Sequence, residues 1–134
     1  MTENIALIRK MYDAFGRGDI AYILQNLTDD VEWTSIGPAS IPYAGTFRGP
    51  AEVTKFFQAL ATTQSGQRLT MPEFVASGDK VVAIGRYACT VTATGKYSDA
   101  PVVHVFTIRD GKVAAFLDFV DTAAVVEAYS AAAA

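Results

Sequence analysis

Residues 104–122 read HVFTIRDGKVAAFLDFVDT and hold the chain's single histidine, His104, together with Asp110, Asp118 and Asp121. An imidazole and a carboxylate on neighbouring apolar segments are the materials of acid–base chemistry, one group taking a proton where the other gives one. The three aspartates differ in setting. Asp110 belongs to the turn RDGK. Asp121 stands just before TAAVVEAY, where a helix cap is expected. Asp118 is flanked by Leu117 and Phe119. Burying a carboxylate there is costly unless it is neutral or partnered, and His104 could partner it. A lone strand histidine also fits a hydrogen-bonded core or interface position. The two uses differ in whether the side chains reach a cavity.

Whether the pair can meet depends on the turn. A three-residue loop over 109–111, with Gly111 left-handed, sets Ile108 opposite Lys112. His104 then lies opposite Phe116 and Val102 opposite Asp118. His104 and Asp118 become diagonal neighbours on one face, about 7–8 Å apart. A two-residue loop would put them on opposite faces, since a one-residue slip turns every side chain over. The three-residue loop is the expectation.

The elements that must position the pair follow from periodicity. Ile5, Ile8, Met11, Tyr12 and Phe15 recur at spacings of three and four, which predicts a helix over 3–15 ended by Gly16 or Gly18. Asp19 caps a short second helix with Ile20, Ile23, Leu24 and Leu27 on its buried side. DDVEWTSI has strand character. GPASIPYAGTFRGP reads as a long loop, and Pro50 opens a third helix that buries Val53, Phe56, Phe57 and Leu60. QSGQ breaks that helix. Strands are expected at about 69–76, 80–93, 101–109 and 112–120. SGDK and RDGK are hairpin turns, ATGKYSDAP is a looser connection, and Thr122 begins a last helix. The terminal SAAAA reads as a frayed helix end or disorder. Consecutive late hairpins with the helices set to one side predict an α+β fold with a mostly antiparallel sheet. If that sheet is long and strongly bent, it leaves an apolar pocket against the helices.

Composition narrows the function classes. The 134 residues fit one domain, 1–134, and are 51% hydrophobic and 19% charged, too apolar for disorder. The net charge is −3 with the 11 basic residues scattered without a cluster, which argues against nucleic-acid binding. No apolar run reaches the roughly 18–20 residues of a membrane span, and the N-terminus lacks a secretory signal. A cytoplasmic location is expected. Cys89, the only cysteine, lies in an apolar, Thr-rich strand and reads as core. One His and one Cys cannot build the usual nitrogen/sulfur metal site. GTFRGP lacks the Lys-Ser/Thr ending and preceding strand of a phosphate loop. No metal or organic cofactor is expected.

Other residues could shape a pocket. Tyr12, Phe15, Tyr43 and Phe57 could stack on a flat ligand or fill the core. Trp33 could line the pocket or fill the core. Arg86, on a Val/Ile strand, could balance a buried carboxylate or an anionic ligand, or serve a sheet edge or dimer interface.

The order of elements and the phrases MYDAFGRGD, LTDDVEW, AGTFRGPAEVTKFF and HVFTIRDGKVAAFLDFVDT resemble the SnoaL-like proteins. These belong to the nuclear-transport-factor-like superfamily, whose cone-shaped α+β barrel is shared with ketosteroid isomerase. The resemblance covers nearly the whole chain. It implies a curved sheet wrapped around N-terminal helices, whereas function varies widely on this fold. Ketosteroid isomerase uses a helix-1 tyrosine and a protonated aspartate as oxyanion hole, with an aspartate base. The matching positions here are Met11 with Tyr12 beside it, Val103, and Ser35, so that mechanism is not expected. Limonene-epoxide-hydrolase-like enzymes need an Arg and an Asp two residues apart, and Arg86 is followed by Ala88. The polyketide cyclases of the SnoaL group fit better, since their His on the penultimate strand and acidic residue on the last match His104 and Asp118. The resemblance implies a cofactor-independent cyclase or isomerase acting on an apolar, polyketide-like carbonyl compound. The alternative is a non-catalytic apolar-ligand-binding or dimerisation domain. A homodimer is expected because Val103, Val105, Val113, Leu117 and Phe119 would share the sheet's other face.

Overall fold

A computed structural model describes residues 2–131. Met1 and residues 132–134, the end of the SAAAA tail, lie outside the described residues. The first helix, α1 (Thr2–Arg17), buries Ile8, Met11 and Ala14 along one stripe. It ends in a left-handed Gly18, with the Gly18 N–H bonded to the Phe15 carbonyl and the Asp19 N–H to that of Ala14. That pattern satisfies carbonyls the helix end would otherwise leave open. Asp19 caps α2 (Ile20–Gln25), accepting from the Tyr22 N–H. β1 (Leu27–Ser35) follows, then β2 (Gly45–Arg48) and α3 (Gly49–Thr63). Pro50 sits in the first turn of α3, where a missing N–H costs nothing, and Val53, Phe56, Phe57 and Leu60 are buried as expected. β3 (Gln64–Ser77), β4 (Lys80–Val91), β5 (Tyr97–Arg109), β6 (Lys112–Val120) and α4 (Thr122–Tyr129) complete the chain. Asp121 caps α4 by accepting from the Ala124 N–H at 3.3 Å.

The six strands form one curved, unclosed sheet in the order β2-β1-β6-β5-β4-β3. Every pair is antiparallel except β1–β6. The helices pack on one side of it, α1 against β3 and β4, and α3 against β1. The architecture is the expected α+β fold. Two details differ from expectation. β2 emerges from the segment read as loop, and QSGQ, which ends α3 as expected, is itself the start of β3, so that strand begins at Gln64 rather than at about residue 69. β3 is an edge strand. Pro72 falls at an irregularity between Thr70 and Glu73, a place where a missing ladder N–H is tolerated. Opposite it, Gly85 lets the strands approach: a Cβ there would stand 1.9 Å from the Thr70 carbonyl oxygen.

The turn between β5 and β6 corrects the expected register. Arg109 pairs with Lys112, so the loop has two residues, Asp110 and Gly111, both at positive φ (52° and 75°). That is the backbone of a primed hairpin turn. Taken alone, such a loop would separate His104 from Asp118. β6, however, carries one extra residue, Ala114, between Val113, opposite Ile108, and Ala115, opposite Thr107. This bulge restores the parity, and His104 faces Asp118 directly. It also moves Val113 out of the expected outer-face set: Val113 is fully buried in the core. Val103 and Val105 are half-buried, while Leu117 and Phe119 keep 37% and 44% of their surface exposed.

Candidate active site

The parallel β1–β6 pairing sets Ser35 beside Asp118, and the antiparallel β5–β6 pairing sets Asp118 beside His104. Three adjacent strands thus present Ser35, Asp118 and His104 in a row. Ser35 is 1% exposed, and His104 and Asp118 are each 8% exposed. The Ser35 hydroxyl donates to Asp118 Oδ2 at 3.0 Å. His104 Nε2 lies 3.3 Å from Asp118 Oδ1. The contact is not an aligned hydrogen bond, and Oδ1 has no aligned donor among the described residues. From the helix layer, the Tyr12 hydroxyl reaches His104 Nδ1 at 2.8 Å.

Tyr12 is held in its neutral form. Burial, and next the negative charge of Asp118, push its phenol well above the ordinary tyrosine range. With the Tyr12 hydroxyl as donor to Nδ1, the other ring nitrogen, Nε2, carries a hydrogen and faces Asp118. The four side chains therefore form a line of polar groups: Tyr12, His104, Asp118, Ser35.

This line opens on an apolar cavity between helices and sheet. The cavity is lined by Tyr12, Phe15, Trp33, Tyr43, Phe57, His104 and Asp118, with Met11, Phe56, Leu69, Tyr87, Phe106 and Phe116 among the rest. It offers about 80 Å³ to the centres of water-sized atoms, several times the roughly 10–15 Å³ that one water takes up. Trp33 stacks on Phe116 with ring centres 3.9 Å apart and meets Phe56 and Phe57 at tilted angles. His104 meets the same Phe116 at 4.8 Å.

All but one of the residues expected at a pocket are brought together here. Arg86 is the exception. It sits on β4 opposite Pro101, while Ala83 is opposite His104. Its guanidinium projects to the surface and pairs with Asp99 at 2.9 Å, with both side chains about half exposed. Alternation along the strand is the physical reason: the odd positions Val81 and Ala83 face the core, and Arg86 has the other parity. Asp99, read as a loop residue, is part of β5.

Two roles are not readable from residue types. Ser35 occupies a position that the isomerase comparison treats as lacking useful chemistry, yet it is the hydrogen-bond donor to Asp118. Its spacing of two from Trp33 is the signal that it shares the pocket-facing side of β1. Tyr12, read as a stacking surface, contributes its hydroxyl to His104. Beyond the cavity, Gln64 accepts from the Tyr87 hydroxyl and donates to Tyr129. A smaller chamber beside it is lined by Cys89 and Ser98. Burial pushes the Cys89 thiol up, which makes it a poor nucleophile. Among the described residues, no three His, Cys, Asp or Glu side chains gather as a metal site would need. No described helix is long and apolar enough to cross a membrane.

Comparison with known proteins places this geometry in a wider group. The model of the SnoaL-like domain family matches residues 8–116, a segment that includes Tyr12, Trp33, Ser35 and His104 and stops short of Asp118. An uncharacterised protein of Mycobacterium tuberculosis (strain H37Rv), Rv0034, is 27% identical over 126 residues, covering 94% of this chain and 95% of the relative. Among solved structures, an NTF2-like protein of unknown function from Burkholderia pseudomallei is 33% identical. It superposes with a TM-score of 0.88, over 98% of this chain and 100% of that one. The protein TerC, co-crystallized with polyporic acid, is 34% identical with a TM-score of 0.85, over 95% of this chain and 98% of that one.

Proposed function

This chain belongs to the SnoaL-like domain family and has the NTF2-like fold, and from that premise we propose that it binds a small apolar carbonyl compound and acts on it by acid–base chemistry without a cofactor. The reaction class is cyclisation, isomerisation or dehydration. The observation that carries the proposal is that Tyr12, His104 and Asp118 are set into one wall of a mostly apolar cavity, with Ser35 hydrogen-bonded to Asp118. A polar line of this kind is costly to bury and adds nothing to packing that apolar side chains would not supply.

Each residue then has a role. Ser35 fixes one oxygen of Asp118 and leaves the other, Oδ1, to face the ligand. Asp118 takes the proton next to the carbonyl, and the electron pair moves onto the carbonyl oxygen. His104, oriented by Tyr12, donates a hydrogen bond to the oxygen that receives charge. The aromatic walls exclude water and hold a flat ligand. The co-crystallization of TerC with polyporic acid supports a pocket for cyclic organic ligands in this group.

A screen of cyclic ketones and polyketide-like compounds by thermal shift tests binding, because a ligand that binds only the native state raises its melting temperature. With a ligand in hand, Asp118→Asn should preserve the fold and abolish turnover, and His104→Ala should reduce turnover less severely. Binding without turnover in the wild-type protein would instead favour a ligand carrier.

A homodimer joined through the outer sheet face is part of the same proposal. Leu117 pairs with Val105 and Phe119 with Val103, which sets four apolar side chains side by side on that face.

A further inference from the structure

Two buried polar atoms on residues lining the cavity have no aligned hydrogen-bond partner among the described residues: Asp118 Oδ1, which His104 Nε2 approaches to 3.3 Å, and Trp33 Nε1. Trp33 is 4% exposed and Asp118 8%. They come from one patch, because Trp33 pairs with Phe116 and Ser35 with Asp118, two residues further along the same two strands. Buried polar groups in folded proteins are nearly always paired, so each such atom calls for a reason. The two are complementary. An ionised carboxylate oxygen only accepts, and an indole N–H only donates. The Trp33 ring, stacked on Phe116 and met by Phe56 and Phe57, is fixed in place and cannot swing to another acceptor.

We infer that the Trp33 indole N–H holds the carbonyl oxygen of the ligand while Asp118 Oδ1 faces its acidic hydrogen. The cavity therefore selects ketones with a hydrogen on the adjacent carbon, or their enols, carried on a small ring system. This rests on the acid–base reading above and gives Trp33 a catalytic part in it. When Asp118 Oδ1 forms its bond to hydrogen, the C–H bond breaks and its electron pair shifts to the carbonyl oxygen. The negative charge arising there is met by a donor already in position. An ammonium ligand would satisfy Asp118 but would leave the Trp33 N–H against a second donor.

Trp33 is the chain's only tryptophan, so its indole N–H gives a single signal in a ¹⁵N-resolved NMR spectrum. In the wild-type protein, tetralone should move that signal in the direction of a stronger hydrogen bond, and naphthalene should not. Titrations give an independent measure. Trp33→Phe should weaken tetralone about tenfold and leave naphthalene within about twofold. Asp118→Asn should weaken naphthol, an enol-like hydroxyl, and leave naphthalene unchanged. Tighter binding of aminotetralin than of tetralone would overturn the inference. So would an indole signal indifferent to the carbonyl, or a Trp33→Phe effect equal for tetralone and naphthalene, which would make Trp33 a wall and nothing more. If naphthalene binds but the carbonyl makes no difference, this inference fails alone. If none of these compounds binds, the pocket reading fails and takes the inference with it.

Discussion

His104 and Asp118 stand out as polar residues among Val, Phe and Leu, and that contrast was legible before any coordinates. What orients them was not. Ser35 and Tyr12 act through pairings of sequence distance 83 and 92, and no local pattern encodes contacts so remote. Ser35→Ala removes the hydroxyl that donates to Asp118 Oδ2 and should cost about 1–3 kcal/mol of stability, measured by denaturant unfolding. A neutral effect would mean that the carboxylate is not held as described. The buried phenols predict a pH dependence. Burial first, then neighbouring groups, raise Tyr12, Tyr43 and Tyr87 above their ordinary value of 10.0. Above that value the unfolded chain has lost phenolic protons that the folded chain keeps. Stability should therefore be intact below about pH 10 and fall as pH rises further, by up to roughly 1.4 kcal/mol per pH unit for each phenol. Tyr12→Phe should make that decline shallower in thermal unfolding between pH 9 and 11.

At the scale of elements, helices were the readable part, because a 3.6-residue apolar stripe survives any tertiary context. α1, α3 and the cap of α4 form where periodicity and capping residues put them. The hairpin between β5 and β6 was not fully readable. Asp-Gly is a strong signal for a two-residue turn, and the turn does form. The Ala114 bulge that compensates it has no marker in a run of Val113, Ala114 and Ala115. The same-face placement of His104 and Asp118 was thus anticipated through the wrong turn and is produced by a bulge instead. β2 was hidden for a different reason: its four residues are largely exposed and lie in a Pro/Gly-rich stretch. Gly85 marks another bend. Its Cβ position is met first by the Thr70 carbonyl oxygen of β3 at 1.9 Å, with Met71 Sδ at 2.7 Å, and the backbone atom cannot move aside as a side chain could. Gly85→Ala should cost about 1–3 kcal/mol in chemical denaturation. An unchanged midpoint would show that the strands are less closely apposed.

At the scale of the molecule, the curved sheet separates two surfaces with different tasks. The concave side, with the helices, makes the cavity. The outer side presents Leu117 and Phe119 beside Val103 and Val105. A charge placed there, Leu117→Lys with Phe119→Lys, should convert the proposed dimer to a folded monomer in sedimentation at micromolar concentration. A wild-type monomer under the same conditions contradicts the proposal. The claim on which the functional account depends is that Asp118 removes a proton from a carbon next to a carbonyl inside this cavity. It can be tested without the natural substrate, by following deuterium uptake at the carbon beside the tetralone carbonyl in D₂O by NMR. The wild-type protein should accelerate exchange well above buffer, and Asp118→Asn should return it to the buffer rate while still binding tetralone. Exchange at the buffer rate with tetralone bound to the wild-type protein, or equal acceleration by Asp118→Asn, would contradict the account.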